Sequence, residues 1–156
     1  MNKKIQVYKG LHSQNLYQMI SDCWSQDQPL IICPAHIQQS ENFLDKLNIP
    51  AEVILGVYTS GTLSGKPRLV FYTKKNIICS LNAIRKLYDL KKIDKIFCYP
   101  QPVHTFGLIL GYVQSILFQT PLVFCEGGYS SKAHEVWLRE QTPGMLTLGT
   151  PTHFVD

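Results

Sequence analysis

Short β-favouring runs alternating with amphipathic, capped stretches predict an α/β fold: a parallel sheet with flanking helices, interrupted by one β-hairpin. Three observations carry that prediction. Apolar runs of strand length recur at 30–33, 95–99 and 145–148, as expected of strands buried on both faces. Between them, hydrophobic residues return at helical spacing behind Ser, Thr or Asn. Between those segments, 52–73 reads as strand, small polar loop and strand, the pattern of a hairpin. The 156 residues suit one domain with a sizeable core.

Taken in order, Ser13 or Asn15 caps a helix with Leu16, Met19, Ile20, Cys23 and Trp24 on one side, and Pro29 leads into the buried strand Leu30-Ile31-Ile32-Cys33. Ser40 caps a second helix, Glu41 to Leu47, with Phe43, Leu44 and Leu47 inward. The hairpin strands span 52–58 and 68–73. A helix then begins at Lys75 or Asn76, with Ile77, Ile78, Leu81, Ile84, Leu87 and Tyr88 sharing a face. Strand 95–99 follows, then a buried helix over 105–118 that Pro121 must end. Strand 121–125, helix 131–141 and strand 145–148 complete an alternation that implies a parallel sheet covered on both faces. Thr150 and Pro151 form an N-cap and N1 pair opening a further helix.

The hairpin loop, Thr59-Ser60-Gly61-Thr62-Leu63-Ser64-Gly65-Lys66-Pro67-Arg68, concentrates hydroxyls, glycines and cations as no other stretch does. Gly61 and Gly65 permit φ > 0 and let backbone N–H groups converge on an anion. Thr59, Ser60, Thr62 and Ser64 add hydroxyl donors, with Lys66 and Arg68 at the rim. The same composition suits an ordinary turn with nothing bound, so composition alone admits both readings. A Walker A loop is excluded, because three residues separate the glycines, Pro67 follows Lys66, and a strand rather than a helix comes next.

The string YTSGTLSGKPR resembles the phosphate-loop signature Y-T-S-G-T-T-G-x-P-K-G of the AMP-binding, adenylate-forming enzymes. Tyr99-Pro100-Gln101-Pro102-Val103-His104-Thr105-Phe106-Gly107-Leu108 is similar to that family's P-x-x-H-x-F-G-L segment, and Leu148-Gly149-Thr150-Pro151-Thr152 to its G-V-P-T segment. The matches fall in the family's order across residues 58 to 152. The resemblance implies that residues 1–156 form a single partial α/β domain, part of a large N-terminal domain. Residues 1–50 would be a reduced N-terminal portion and 51–156 an AMP-binding core segment truncated at its C-terminus.

The implied activity is ATP-dependent activation of a carboxylic acid to an acyl-adenylate, followed by thioester formation, with ATP and Mg²⁺ as cofactors. By the resemblance Thr59, Ser60, Gly61, Thr62, Ser64, Gly65, Lys66 and Arg68 hold the ATP phosphates, Arg68 standing where the family generally has Lys. His104 lies at the acyl-substrate pocket. The loop departs from the pattern: it is one residue longer, Leu69 replaces a Gly and Lys74 a His. No metal ligand is identified, and the Mg²⁺, ribose and C-terminal lysine motifs lie beyond the matched segments. The segment alone is therefore expected to be inactive. Two alternatives are a non-catalytic nucleotide-binding or interaction module and a truncated remnant. A homodimer, or a missing partner domain, is expected to cover apolar surface.

Charge and cysteine usage bound the remaining classes. The formal net charge of +4 is uneven: residues 66–95 hold nine Lys and Arg against Asp89 and Asp94, leaving −3 elsewhere. No aromatic platform or DNA-reading motif accompanies that basic stretch, so nucleic acid is not an expected partner, and most of its lysines read as a solvated helix face. Cys23, Cys33, Cys79, Cys98 and Cys125 are odd in number and widely spread, reading as buried thiols in a reducing compartment, the cytoplasm. No signal-peptide core is present at the N-terminus. Phe106 to Cys125 approaches the length of a membrane span, but Gln114, Ser115, Gln119, Thr120 and Pro121 interrupt it. His153 is expected at the surface, and His12, His36 and His134 show no supporting neighbours.

Overall fold

The computed structural model describes residues 4–37, 43, 46–59, 67–88, 92–127 and 129–153. In chain order the elements are β1 (Gln6–Lys9), α1 (Gln14–Ser25), β2 (Leu30–Cys33), β3 (Val53–Tyr58), β4 (Leu69–Thr73), α2 (Lys74–Leu87) and β5 (Lys95–Cys98). A π-helix (Phe106–Val113) runs on into α3 (Gln114–Phe118), followed by β6 (Leu122–Val123), α4 (Ser131–Glu140), β7 (Met145–Leu148) and a 3₁₀ turn (Pro151–His153).

The strands form two sheets. The first has the order β1-β2-β3-β4, with β1, β2 and β3 parallel and β4 antiparallel to β3; the second has the order β6-β5-β7 and is wholly parallel. The sequence predicts a parallel sheet covered on both faces. That holds for β5 to β7, whereas the hairpin makes the first sheet mixed. A hairpin connection between the neighbouring strands β3 and β4 gives antiparallel pairing, and α2 then carries the chain away to start the second sheet.

Leu30 pairs with Leu55 and Ile32 with Val57, so these four side chains share one face. Leu16, Ile20 and Cys23 of α1 and Ile77 and Leu81 of α2 belong to the same buried cluster. Leu81 is wholly buried, and its truncation to Ala would cost roughly 2–5 kcal/mol. The helix 106–118 is the wall between the sheets. Its Leu108, Ile109, Tyr112 and Val113 join the first cluster, while Leu110 also packs on Ile96, Cys98 and Leu148 of the second sheet. α4 covers the opposite face of that sheet, where Ala133, Val136 and Trp137 meet Phe97 and Tyr99.

Local chemistry explains most boundaries. Ser13 caps α1 by accepting from Leu16 N. α2 starts at Lys74, ahead of the expected Lys75 or Asn76, because Thr73 and Asn76 cap it reciprocally. α3 ends with Gln119 in the left-handed region, where Thr120 N donates to Ser115 O and Ser115 Oγ to Thr120 O. The π-winding of 106–113 was not foreseen. It accompanies two close approaches: a Cβ on Gly107 would lie 2.1 Å from the Pro100 carbonyl oxygen, and one on Gly111 would lie 2.7 Å from Cys98 Sγ.

Other expectations need correction. β1 went unforeseen, because a short edge strand alternating Gln, Val, Tyr and Lys carries little apolar signal. Strand 121–125 narrows to Leu122–Val123. On α2 the inward stripe is Ile77 and Leu81; Ile78 stands about 100° around the helix from Ile77, and Ile78, Leu87 and Tyr88 are exposed. Cys79 is exposed and Cys125 half-buried, in contrast to Cys23, Cys33 and Cys98. The expected helix 41–47 falls mainly outside the described residues, within which Phe43 and Lys46 sit in turns. Among the described residues, no helix is long and apolar enough to cross a membrane. In the basic stretch Lys75, Lys86 and Lys92 are exposed, while Lys74 pairs with Asp27, Lys95 with Glu140, and Arg85 stacks on Phe118 at 3.8 Å.

Candidate functional site

Parallel strands deliver their carboxyl ends to one rim, and the segments singled out in the sequence leave from there. Thr59 follows β3, Tyr99 to His104 follow β5, and Gly149 to His153 follow β7. Two contacts tie the strand ends together. His12, just beyond β1, reaches Tyr99 after β5, and Tyr99 stacks on His153 after β7 with ring centroids 5.2 Å apart.

At the hairpin, Thr59 and Arg68 close the mouth of the loop. Thr59 N donates to Arg68 O at 2.8 Å and Arg68 N donates to Thr59 Oγ1 at 3.0 Å. With Oγ1 accepting, the hydroxyl hydrogen of Thr59 can still be donated outward. Both residues are exposed. Ser60, Gly61, Thr62, Ser64, Gly65 and Lys66, the other expected phosphate ligands, lie outside the described residues.

His104 is exposed and stands before the π-helix. Its N–H donates to Gln101 O and its carbonyl accepts from Leu108 N, each at 3.0 Å, so the backbone is held while the imidazole faces solvent. Pro102, two residues earlier, is buried.

His12 is the residue that the sequence did not reveal. It is buried in an aromatic cluster with Tyr112 and Phe124, its ring centroid 5.8 and 5.3 Å from theirs and theirs 5.5 Å from each other. Nδ1 lies 2.9 Å from Tyr112 Oη and Nε2 3.2 Å from Tyr99 O. A carbonyl can only accept, so Nε2 carries the proton and Nδ1 accepts from the Tyr112 hydroxyl. Burial lowers the His12 pKa, partly offset by the Tyr99 carbonyl, and keeps the ring neutral. The partners lie 87 and 100 positions downstream, beyond any local pattern.

Two further groups at the end of β5 are un-ionised at neutral pH. Burial pushes the Cys98 thiol up to about 12, and burial, then Tyr129 and Cys125, push the Tyr99 phenol up to about 12. His153, expected at the surface, is half-buried: it stacks on Tyr99, and its Nδ1 accepts from Thr150 N at 2.8 Å. The expected N-cap and N1 pair, Thr150 and Pro151, thus opens a 3₁₀ turn. Among the described residues, no three His, Cys, Asp or Glu side chains converge to hold a metal. At the amino end of β3, away from the rim, a cavity of about 530 Å³ is lined by Asp27, Glu52, Val53, Thr73, Lys74 and Lys75.

No family model matches the chain. The mitochondrial medium-chain acyl-CoA ligase ACSF2 of Danio rerio is 32% identical over 126 residues, which take in 78% of this chain and 20% of that protein. The acyl-CoA ligase cnsG of Penicillium expansum is 28% identical over 123 residues, 78% of this chain and 24% of its own. The chain thus spans about a fifth to a quarter of the curated relatives it matches. Among solved structures, o-succinylbenzoate CoA synthetase (MenE) from Bacillus subtilis, in complex with the acyl-adenylate intermediate OSB-AMP, has a TM-score of 0.66 at 12% identity. That match covers 96% of this chain and 56% of the other, a likeness of fold. Strand-end motifs, curated relatives and fold agree: the chain belongs to the AMP-binding, acyl-CoA ligase-like superfamily, of which it represents a partial segment.

Proposed function

We propose that this chain provides the nucleotide-phosphate hairpin and the acyl-side loop of an adenylate-forming carboxylate ligase. The observation that carries the reading is the mouth of the hairpin, where Thr59 and Arg68 are bonded to each other at the carboxyl end of β3, both exposed. A guanidinium and a hydroxyl donor held there suit the β- and γ-phosphates of ATP. In the proposed reaction a carboxylate oxygen attacks the α-phosphorus, the bond to pyrophosphate breaks, and an acyl-adenylate forms; a thiol then displaces AMP to give the thioester.

In this reading Ser60, Gly61, Thr62, Ser64, Gly65 and Lys66 complete the phosphate cradle, and His104 lines the acyl pocket. Mg²⁺ would neutralise phosphate charge in such chemistry, but the described residues offer no convergent donor set for it. In the proposed reading the segment by itself binds nucleotide without completing adenylation. The free cysteines support a reducing compartment, the cytoplasm, although one relative is described as mitochondrial.

The test is incubation with ATP, Mg²⁺, a panel of carboxylic acids and hydroxylamine. No acyl-hydroxamate is expected from this chain, while ATP or pyrophosphate raises its melting temperature. Robust hydroxamate formation would overturn the proposed inactivity, and no thermal shift with ATP, AMP or pyrophosphate would overturn the nucleotide site.

A further inference from the structure

We propose that His12 is the positioning residue of the His104 loop, a two-pronged brace from the start of the chain onto the turn that carries His104. The inference rests on reading that loop as part of the ligand site. It concerns which of this chain's own groups hold the loop in place.

One prong is the ring: Nε2–H donates to Tyr99 O at 3.2 Å, with Nδ1 fixed by Tyr112 Oη at 2.9 Å. The other is the backbone: His12 N donates to Gln101 Oε1 at 3.2 Å. Gln101 is also the residue whose carbonyl accepts from His104 N at 3.0 Å. Two of the three residues from Tyr99 to Gln101 are therefore gripped by a single residue, one of them directly bonded to His104. On the far side the same turn rests on the π-helix: Cys98 Sγ contacts the Pro100 carbonyl at 3.5 Å, and Gly107 leaves no room for a methyl beneath that carbonyl.

The brace is itself held. Ser13 Oγ, next in sequence to His12, accepts from Leu16 N to start α1 and lies 2.7 Å from Tyr8 Oη at the end of β1. The His12 ring packs beside Tyr112 and Phe124, inclined to them by only 11° and 16°, which limits its tilt. The imidazole thus enters the turn pre-oriented, with one tautomer selected by the Tyr99 carbonyl and little rotamer freedom left to lose.

Two variants separate positioning from mere packing. His12→Phe keeps an aromatic ring beside Tyr112 and Phe124 but removes both ring hydrogen bonds. His12→Gln returns an amide N–H that can donate to Tyr99 O. The readout is amide hydrogen exchange of the full chain by NMR, comparing His104 N–H with a core amide such as Ile32. His12→Phe is expected to speed His104 exchange by about tenfold or more relative to Ile32, with His12→Gln restoring most of the protection. Nitrogen shifts of the wild-type ring should report the Nε2–H tautomer.

Equal acceleration at His104 and Ile32, no acceleration, or a protonated Nδ1 in the wild type would overturn the proposal. Should His12→Phe fail to fold, Gln101→Met removes the second prong alone and is read the same way. None of these measurements needs a nucleotide. A chain that binds no ATP yet shows the exchange pattern would sink the ligase reading and leave the brace standing.

Discussion

The two ends of this candidate site are built on opposite principles. Around His12 both ring nitrogens are matched, the ring is buried beside two aromatics, and the partners come from the far half of the chain. At the hairpin mouth Thr59 and Arg68 answer each other across a few residues of loop and face solvent. The contrast teaches that the groups offered to a ligand need not be the groups that hold the site's shape. Buried, satisfied polar groups give rigidity, whereas exposed charge gives recognition.

The largest expected effect lies on the buried side. Gly107→Ala would set a methyl carbon 2.1 Å from the Pro100 carbonyl oxygen and 2.8 Å from that of Gln101, and both obstacles are backbone. The π-helix or the braced turn must move, at a cost of about 3 kcal/mol or more. Urea unfolding would read the loss directly. A midpoint equal to that of wild type would show that the turn is soft and that the contrast between the two ends is overstated.

Next comes the exposed side. Arg68→Ala should leave stability within about 0.5 kcal/mol, since the side chain is exposed, while weakening ATP binding by roughly 1.5–3 kcal/mol through loss of a charged hydrogen bond. Calorimetric titration with ATP, paired with thermal melts, separates the two quantities. A stability loss without an affinity loss would invert the roles assigned to the two ends.

A third test uses pH to read the buried end alone. Burial holds the folded-state pKa of His12 below its ordinary 6.5, so near and below pH 6.5 the unfolded chain binds a proton that the folded chain refuses. The His12 contribution is present above that unfolded value. It is lost as pH falls through 6.5, levelling once the folded pKa is passed. Compared with His12→Gln, wild type should lose stability on acidification at no more than about 1.4 kcal/mol per pH unit. Parallel stability curves for the two proteins would mean that the folded chain takes up the His12 proton as readily as the unfolded one.

What the sequence made legible follows the same division. Strands such as 145–148 and the cap at Ser13 are local, written in neighbouring residues and recoverable from periodicity and hydrogen-bonding chemistry, whereas the reciprocal cap of Thr73 and Asn76 was missed. The strand-end motifs are contiguous strings in the sequence, and Thr59, His104 and Thr150 of those strings follow β3, β5 and β7. The grouping of strands into two sheets was not, since a run such as Lys95–Cys98 carries no mark of which strands it will join. His12 was invisible for a related reason: its meaning lies in Tyr99, Gln101 and Tyr112, brought to it by the fold. The exposed Leu87 and Tyr88 misled, because helical spacing reports a stripe without saying where the core ends.

Those two residues give the smallest expected change in stability and the clearest test of what lies outside the core. Leu87 and Tyr88 are 75% and 68% exposed at the C-terminal end of α2, so Leu87→Ser with Tyr88→Ser should alter folding by no more than about 0.5 kcal/mol each, against roughly 2–5 kcal/mol for Leu81→Ala on the same helix. Self-association is a separate quantity. If apolar surface at this helix end joins two copies, or otherwise stands where a partner domain would pack, wild type should elute larger than a monomer at high concentration and the double variant as a monomer. Identical elution of the two would show that these side chains are tolerated singly in water, and that the difference between buried and exposed regions ends at the monomer's own surface.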